Sequence, residues 1–550
     1  MNTLFSPKIF KNRVENIRRN FNMRRFRITS QWVFGIFFLL LFLNTRYMGE
    51  DVIPYPVNAF FTIDPLAGIT AMAAGRKIIG FFWPILILLP VTVLFGRLFC
   101  GWICPMGGCL DLFGRRSRQR APRPAGRFYL TKDVILLVVL IASLFTVNLS
   151  GIFDPLSLLI RSLTMGVVHP LEKTIHAVFD TAWRVGGPVS AVTEPVYGFL
   201  SDHFLSFHLP MFRYTALFLG LFLAVVLLEL FERRFWCRNL CPLGALLGIV
   251  SAKNPFGLAI KNSGCTVCKD CPTTCRMGAI EGEDKQSIRK RDCILCYDCV
   301  DSCGDYLIGH RLISHRFSPE ATKYSGEHAE RLEYKNPILP LSRRAFLGAA
   351  GAGVFLPLAM GRTARPDGLP ATLIRPPGAV SEDRFLGLCL RCGECMRVCL
   401  TNGLQPTLFE AGIEGMWTPR LISRIGYCEY SCTLCGQVCP TGAIAHLDTV
   451  TKRKVTIGTA VIDKNLCIPF IKPEQCLVCE EHCPTPEKAI VFDDVMVPRP
   501  GGEVLLKQPR VIDHLCIGCG ICETKCPLES DSAIIIVRDG EDRAKEGFDV

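Results

Sequence analysis

At 550 residues, the chain has material for several domains of roughly 150 residues each. Hydrophobic residues make up 49% of it and the mean hydropathy is +0.29, which argues against a wholly water-exposed protein and predicts segments in a bilayer. The formal charge of +12 comes from 62 basic and 50 acidic side chains, and the basic ones gather beside apolar runs. They read there as orientation signals, so no nucleic-acid partner is expected.

A basic stretch, 1–27, opens the chain with Lys8, Lys11, Arg13, Arg18, Arg19, Arg24, Arg25 and Arg27. Four apolar spans follow within residues 28–254, at 28–47, 78–99, 134–153 and 211–230. Basic flanks place the N-terminus, the Arg115–Arg127 loop and the Glu232–Arg234 segment on the inner side, so both helical hairpins point outward. The hairpins are copies of one another. Each carries Asp-Pro-Leu in its outward loop, at Asp64-Pro65-Leu66 and Asp154-Pro155-Leu156. Each ends inward in C-x3-C-P-x-G, with Cys100, Cys104, Pro105 and Gly107 in the first and Cys237, Cys241, Pro242 and Gly244 in the second. A pseudo-twofold relation between the repeats would bring Cys100, Cys104, Cys237 and Cys241 together as one thiolate site for a metal or cluster. The alternative is four small buried thiols that end helices. Asp64 and Asp154 are candidate proton acceptors for quinol oxidation, with helix capping as the competing role.

Spacing decides what the 29 cysteines mean. Disulfide frameworks have no reason to repeat a four-cysteine period, and zinc ribbons use two separated pairs, whereas C-x2-C-x2-C-x3-C binds iron–sulfur clusters. Residues 255–312 hold two such runs, Cys265/Cys268/Cys271/Cys275 and Cys293/Cys296/Cys299/Cys303. In two-cluster ferredoxins the fourth cysteine of a run serves the other cluster, which predicts Cys265, Cys268, Cys271 and Cys303 for one cluster and Cys293, Cys296, Cys299 and Cys275 for the other. A polar linker, 313–340, leads to 341–361, where Arg343-Arg344, Phe346-Leu347 and a Gly/Ala-rich run have the form of a twin-arginine export signal. A proline-rich tether, 362–384, then precedes a second cysteine-rich region, 385–550.

That region has four runs: Cys389/Cys392/Cys395/Cys399, Cys428/Cys432/Cys435/Cys439, Cys467/Cys476/Cys479/Cys483 and Cys516/Cys519/Cys522/Cys526. Strand-like segments at 454–457 and 461–463 lie between the second and third runs. They suggest that these two share one ferredoxin unit, leaving the first run with the fourth. The predicted groups are then Cys428/Cys432/Cys435/Cys483, Cys467/Cys476/Cys479/Cys439, Cys389/Cys392/Cys395/Cys526 and Cys516/Cys519/Cys522/Cys399, with sequential pairing as the alternative. Cys109 belongs to no set.

The four spans, the two C-x3-C-P motifs and the double cysteine run resemble NapH-type membrane ferredoxins. The Ser342-Arg343-Arg344-Ala345-Phe346-Leu347 signal, the Arg375-Pro376-Pro377-Gly378-Ala379 tether and the four later runs resemble NapG/MauM-type exported ferredoxins. The resemblance implies a fusion of the two in a bacterial inner membrane, with the first ferredoxin domain cytoplasmic and the second periplasmic. The expected fold is multidomain: a four-helix transmembrane module of two repeated hairpins, an α+β ferredoxin-like domain for two [4Fe–4S] clusters, and a second α+β domain with two ferredoxin-like units. It further implies six [4Fe–4S] clusters, electrons from the membrane quinone pool, and a periplasmic reductase such as nitrate reductase, or a c-type cytochrome, as acceptor. No constellation for substrate reduction is present, so the chain reads as an electron-transfer component containing a quinol dehydrogenase module. A cytoplasmic electron donor, or a role in maturing a periplasmic metalloenzyme, are the alternatives.

Overall fold

The computed structural model describes residues 7–114, 128–185, 188–206, 211–260, 265, 268, 270–281, 287–303, 307–310, 341–360, 369–499, 502–529 and 531–543. The arginine-rich loop, the linker 313–340 and the first residues of the tether lie outside these, as do the side chains before Met23.

Two repeats of helices build the first half. The first runs through α1 (Pro7–Asn44), α2 (Ala59–Thr62), α3 (Pro65–Gly75), α4 (Ile85–Phe95) and α5 (Pro105–Phe113). The second runs through α6 (Thr131–Leu144), α7 (Ser150–Phe153), α8 (Pro155–Arg161), α9 (His169–Val185), α10 (Pro188–His203), α11 (Thr215–Leu227) and α12 (Pro242–Val250). Met23–Asn44, within α1, is the one helix among the described residues long and apolar enough to cross a bilayer.

The other three expected spans are broken into shorter helices. Span 78–99 becomes Gly80–Phe95, with Pro90 inside and the positive-φ Gly96 closing it. Span 134–153 stops at Leu144, where Thr146 takes φ 68°, and span 211–230 becomes Thr215–Leu230. Helices of this length reach at most about 26 Å, short of the roughly 30 Å hydrocarbon core. Their outer surfaces are nevertheless strongly apolar: Leu86 of α4 and Leu227 of α11 are 74% and 54% exposed.

The first cysteine-rich unit pairs β1 (Leu258–Ile260) with β4 (Ile308–His310), and β2 (Ile280–Glu281) with β3 (Ser287–Ile288), all antiparallel, around α13 (Asp270–Thr274) and α14 (Asp298–Ser302). Next comes α15 (Arg343–Met360), which opens on the Arg343-Arg344 pair and lies against α6. A Cβ on Gly353 would stand 2.8 Å from Ile141 Cβ, so glycine is what permits this approach.

After α16 (Glu382–Leu388), the second unit pairs β5 (Leu404–Pro406) with β6 (Pro419–Leu421), β7 (Thr459–Ile462) with β10 (Ile534–Val537), and β8 (Ile490–Arg499) with β9 (Gly502–Val511). The β7–β10 pair encloses the third and fourth cysteine runs as β1–β4 encloses the first two.

The two cysteine-rich units sit at opposite ends of the bundle. On α1, Arg24 pairs with Asp298 and Asp301 of the first unit, while the Phe42 carbonyl accepts from Arg397 of the second. Eighteen helical residues separate these contacts, about 27 Å. Lys132 pairs with Asp292 at 2.8 Å at the first end; Asp51 holds Thr433 through its backbone N–H and hydroxyl at the other.

Candidate metal centres

Both C-x3-C-P segments fold alike. A π-helical turn, closed by Cys104 N–H to Phe99 O at 2.9 Å and Cys241 N–H to Trp236 O at 3.0 Å, carries the first cysteine of each pair. The second cysteine caps the following helix, with Pro105 or Pro242 at its first position, where a missing N–H costs nothing. Such single π turns recur at functional sites because they redirect one side chain without ending the helix path. Here they bring Cys100, Cys104, Cys237 and Cys241 into mutual electrostatic contact. Cys109 stands apart, beside Glu229.

Two arginines complete this site, one of which, Arg234, the sequence marks only as a basic flank. Arg97 and Arg234 each precede the first cysteine by three positions, so the repeat is R-x2-C-x3-C-P-x-G. Each guanidinium crosses to the other repeat. Arg234 donates to the carbonyls of Cys100 (3.0 Å) and Gly107 (3.1 Å), and Arg97 Nη2 lies 3.7 Å from Cys100 Sγ and packs on Gly244, where a Cβ would stand 2.6 Å from it. Both are 1% exposed. Arg234 also binds Asp111, which Arg27 and Arg276 approach as well. Burial alone would push the Asp111 carboxyl up, but Arg234, Arg276 and Arg27 hold it well below the usual carboxylate range.

The first unit rests directly on this site. Trp102 Nε1 donates to Leu295 O at 3.1 Å, and Gly101 is so close to Ile294 O that a Cβ there would clash. Ile294 and Leu295 lie inside the Cys293–Cys296 run. Cys271 has Cys303, Cys268 and Cys265 as neighbours, and Cys299 has Cys296, Cys275 and Cys293.

In the second unit the pairing of runs differs from expectation. Cys395 neighbours Cys392, Cys389 and Cys439; Cys399, Cys428, Cys432 and Cys435 line one cavity of about 440 Å³. Cys467, Cys476, Cys479 and Cys526 line a second of about 400 Å³, and Cys483, Cys516, Cys519 and Cys522 a third of about 320 Å³. The first run therefore exchanges its fourth cysteine with the second, and the third with the fourth, so the predicted groupings with Cys526, Cys399, Cys483 and Cys439 are corrected. The reason is β7: the strand material before Cys467 opens the following unit by pairing with β10 and does not link two halves of one unit.

Four cysteines around a cavity fit a cuboidal cluster. Thiolates on a single tetrahedral ion would stand about 3.8 Å apart given a bond of about 2.3 Å, and no group of three or more His, Cys, Asp or Glu among the described residues is so arranged. The groups also form a line. Cys395 neighbours Cys435, Cys428 N–H donates to Cys519 O at 2.8 Å, and Cys522 neighbours Cys479. The order along it is the Cys389, Cys428, Cys516 and Cys467 groups, the first against the bundle and the last beside the β8–β9 hairpin.

Asp64 and Asp154 cap α3 and α8. Asp64 Oδ1 accepts from Leu66 N–H (2.9 Å) and Ala67 N–H (3.1 Å), and Asp154 Oδ2 from Ser157 N–H (2.8 Å). Their side chains also meet each other, fully buried.

The "4Fe-4S binding domain" family matches residues 78–124 and 214–258, which are the two C-x3-C-P segments. "Ferredoxin-type protein NapG" of Escherichia coli (strain K12) is 31% identical over 191 residues, 34% of this chain and 79% of that protein. "Methylamine utilization ferredoxin-type protein MauM" of Methylorubrum extorquens is 34% identical over 207 residues, 36% of this chain and 90% of that protein. "Ferredoxin-type protein NapH" of Escherichia coli (strain K12) is 25% identical over 305 residues, 51% of this chain and 84% of that protein. No solved structure matches. A NapH-like part joined to a NapG/MauM-like part accounts for these likenesses, and the chain belongs to the NapG and MauM family of ferredoxin-type proteins.

Proposed function

We propose that the chain is a membrane-bound iron–sulfur relay that takes electrons from quinol and delivers them to a periplasmic acceptor, with six [4Fe–4S] clusters on the 24 cysteines of its six runs and a further cluster on Cys100, Cys104, Cys237 and Cys241. The observation that carries this is continuity: Cys296, Cys104, Cys237, Cys241 and Cys392 belong to one buried core that runs from the first unit through the bundle to the second. Clusters supply one-electron carriers whose potentials respond to hydrogen bonding and exposure. The protein's part is to hold them close in an apolar setting. Arg97 and Arg234 offset the charge of buried thiolates, and Asp64 and Asp154 accept protons from quinol. The exposed apolar surfaces of α1, α4, α11 and α15, and Leu144 on α6, face lipid, which makes α4, α6 and α11 membrane helices despite their length. Residues 255–312 then lie on the cytoplasmic side and 385–550 on the periplasmic side. A periplasmic reductase, such as a nitrate reductase, accepts at the Cys467 group, the far end of the line.

A cytoplasmic donor is the second reading, and it is favoured by one contact: the Cys293–Cys296 run lies on the C-x3-C turn through Trp102 and Gly101, so a path across the bundle begins in the first unit. Low-temperature electron paramagnetic resonance on anaerobically purified protein separates the two. Reduction of a substantial share of the dithionite-reducible clusters by a menaquinol analogue is the expected result. If dithionite alone reduces them, quinol is not the donor.

A further inference from the structure

Asp64 Oδ2 and Asp154 Oδ1 are buried, and neither accepts from any donor among the described residues. Each belongs to the carboxyl that touches the other's. Two carboxylates in contact and away from water cannot both be charged, so the pair holds at least one proton. Nearby stands Arg161, 1% exposed, its guanidinium 4.2 Å over the Trp417 ring and donating to the carbonyls of Gly151 (2.8 Å) and Arg391 (2.9 Å). Arg161 Nε is buried without an acceptor, and the same guanidinium is in electrostatic contact with Asp154 on one side and with Cys392 and Cys389 on the other. Gly151, three residues before Asp154, abuts Leu390 O within the Cys389–Cys392 run.

Other ionisable groups on the surrounding elements have partners of their own or lie elsewhere. Those packed on α3 and α8 carry Lys132 and Asp133 on α6, Cys109 and Asp111 on α5, and Glu382, Asp383 and Arg384 on α16, while α2, α4, α7 and α12 carry none. Lys132 pairs with Asp292, Asp133 with Arg291, Asp111 with Arg234 and Glu382 with Arg375. The Cys389–Cys399 loop adds Arg391, Glu394 and Arg397, of which Glu394 is also buried, with Oε2 lacking a donor.

We infer that the Asp64–Asp154 pair takes up one proton when the neighbouring cluster on Cys389, Cys392, Cys395 and Cys439 is reduced. One electron enters the cluster and one proton enters the pair, both from quinol or, in vitro, the electron from dithionite and the proton from solvent, so that the pair passes from one shared proton to two. The added negative charge in this apolar region is thereby cancelled. The inference rests on the cluster reading above but not on quinol as the donor.

Redox titration of the full chain with chemical mediators, followed by electron paramagnetic resonance at several pH values, tests it. One cluster should become harder to reduce as pH rises: a tenfold change in proton activity shifts a one-proton, one-electron equilibrium by about 59 mV. Asp64→Asn and Asp154→Asn, which retain helix capping, should flatten that dependence and leave the other potentials in place. Infrared difference spectra should show a reduction-linked carboxylic C=O band in the parent protein and none in the double variant. Flat potentials with all cluster signals present would overturn the inference and leave the cluster reading standing. A pH dependence that survives in both variants and vanishes in Glu394→Gln would overturn it in favour of Glu394. Absence of any reducible cluster would remove both readings.

Discussion

Glu382 illustrates how single charges hold the second unit to its tether. Its carboxylate takes two hydrogen bonds from Arg375, at 3.2 and 2.6 Å, and a third at 2.5 Å from Arg543 near the end of the described chain. Burial would raise its pKa, but Arg375 and then Arg543 bring it down to about 2 from 4.5. Because the folded value lies below the unfolded one, its contribution is complete above about pH 4.5 and is lost as pH falls toward 2. The size is about 3 kcal/mol. Chemical unfolding of the parent and Glu382→Gln should therefore differ most near neutral pH and converge in acid; a constant difference down to pH 3 would contradict this. At this scale the cysteines were legible in the sequence, since cluster ligands must recur at short fixed intervals. Arg97 and Arg234 were visible in the same repeat, but their part in the thiol site emerged only when the fold placed each against the opposite copy.

Among the elements, α15 changes its meaning most between sequence and structure. The sequence reads Arg343-Arg344 and the Gly/Ala-rich run after it as an export signal; in the structure the helix is packed along α6, with Ala349 buried and Leu356 against the bundle core. Gly353 faces Ile141 and Val138, whereas Gly348 and Gly351 have open space beyond their Cα atoms. Gly353→Ile should consequently separate α15 from α6 and lower the melting temperature in detergent by several degrees, a loss of about 1–3 kcal/mol from overpacking. Gly351→Ile, with the same gain in helix propensity, should leave it unchanged or slightly raised. Equal effects at the two positions would mean that α15 does not rest on α6. The strands show the limit of local patterning: residues 459–462 form a strand, but only the partner strand, 534–537, decides which cysteine runs share a unit.

For the molecule as a whole, two cysteine-rich units at opposite ends of one bundle make a prediction about compartments. Reporter fusions at residue 320 and residue 540 should report the cytoplasmic and periplasmic sides respectively, and both reporting one side would exclude a relay across the membrane. Sequence alone determined the cysteine runs, the repeated Asp-Pro-Leu and C-x3-C-P motifs and the positions of the apolar segments, because each is a local pattern of spacing or composition. Three of the four spans form shorter helices than hydropathy suggests, and in two of them a positive-φ residue, Gly96 or Thr146, stands where the helix ends. Which fourth cysteine joins which group, how Arg97 and Arg234 cross between repeats, and that Asp64 meets Asp154 were decided only by tertiary structure. The reason is physical: these contacts link residues far apart in the chain, and they exist only where packing brings two distant segments to the same buried place.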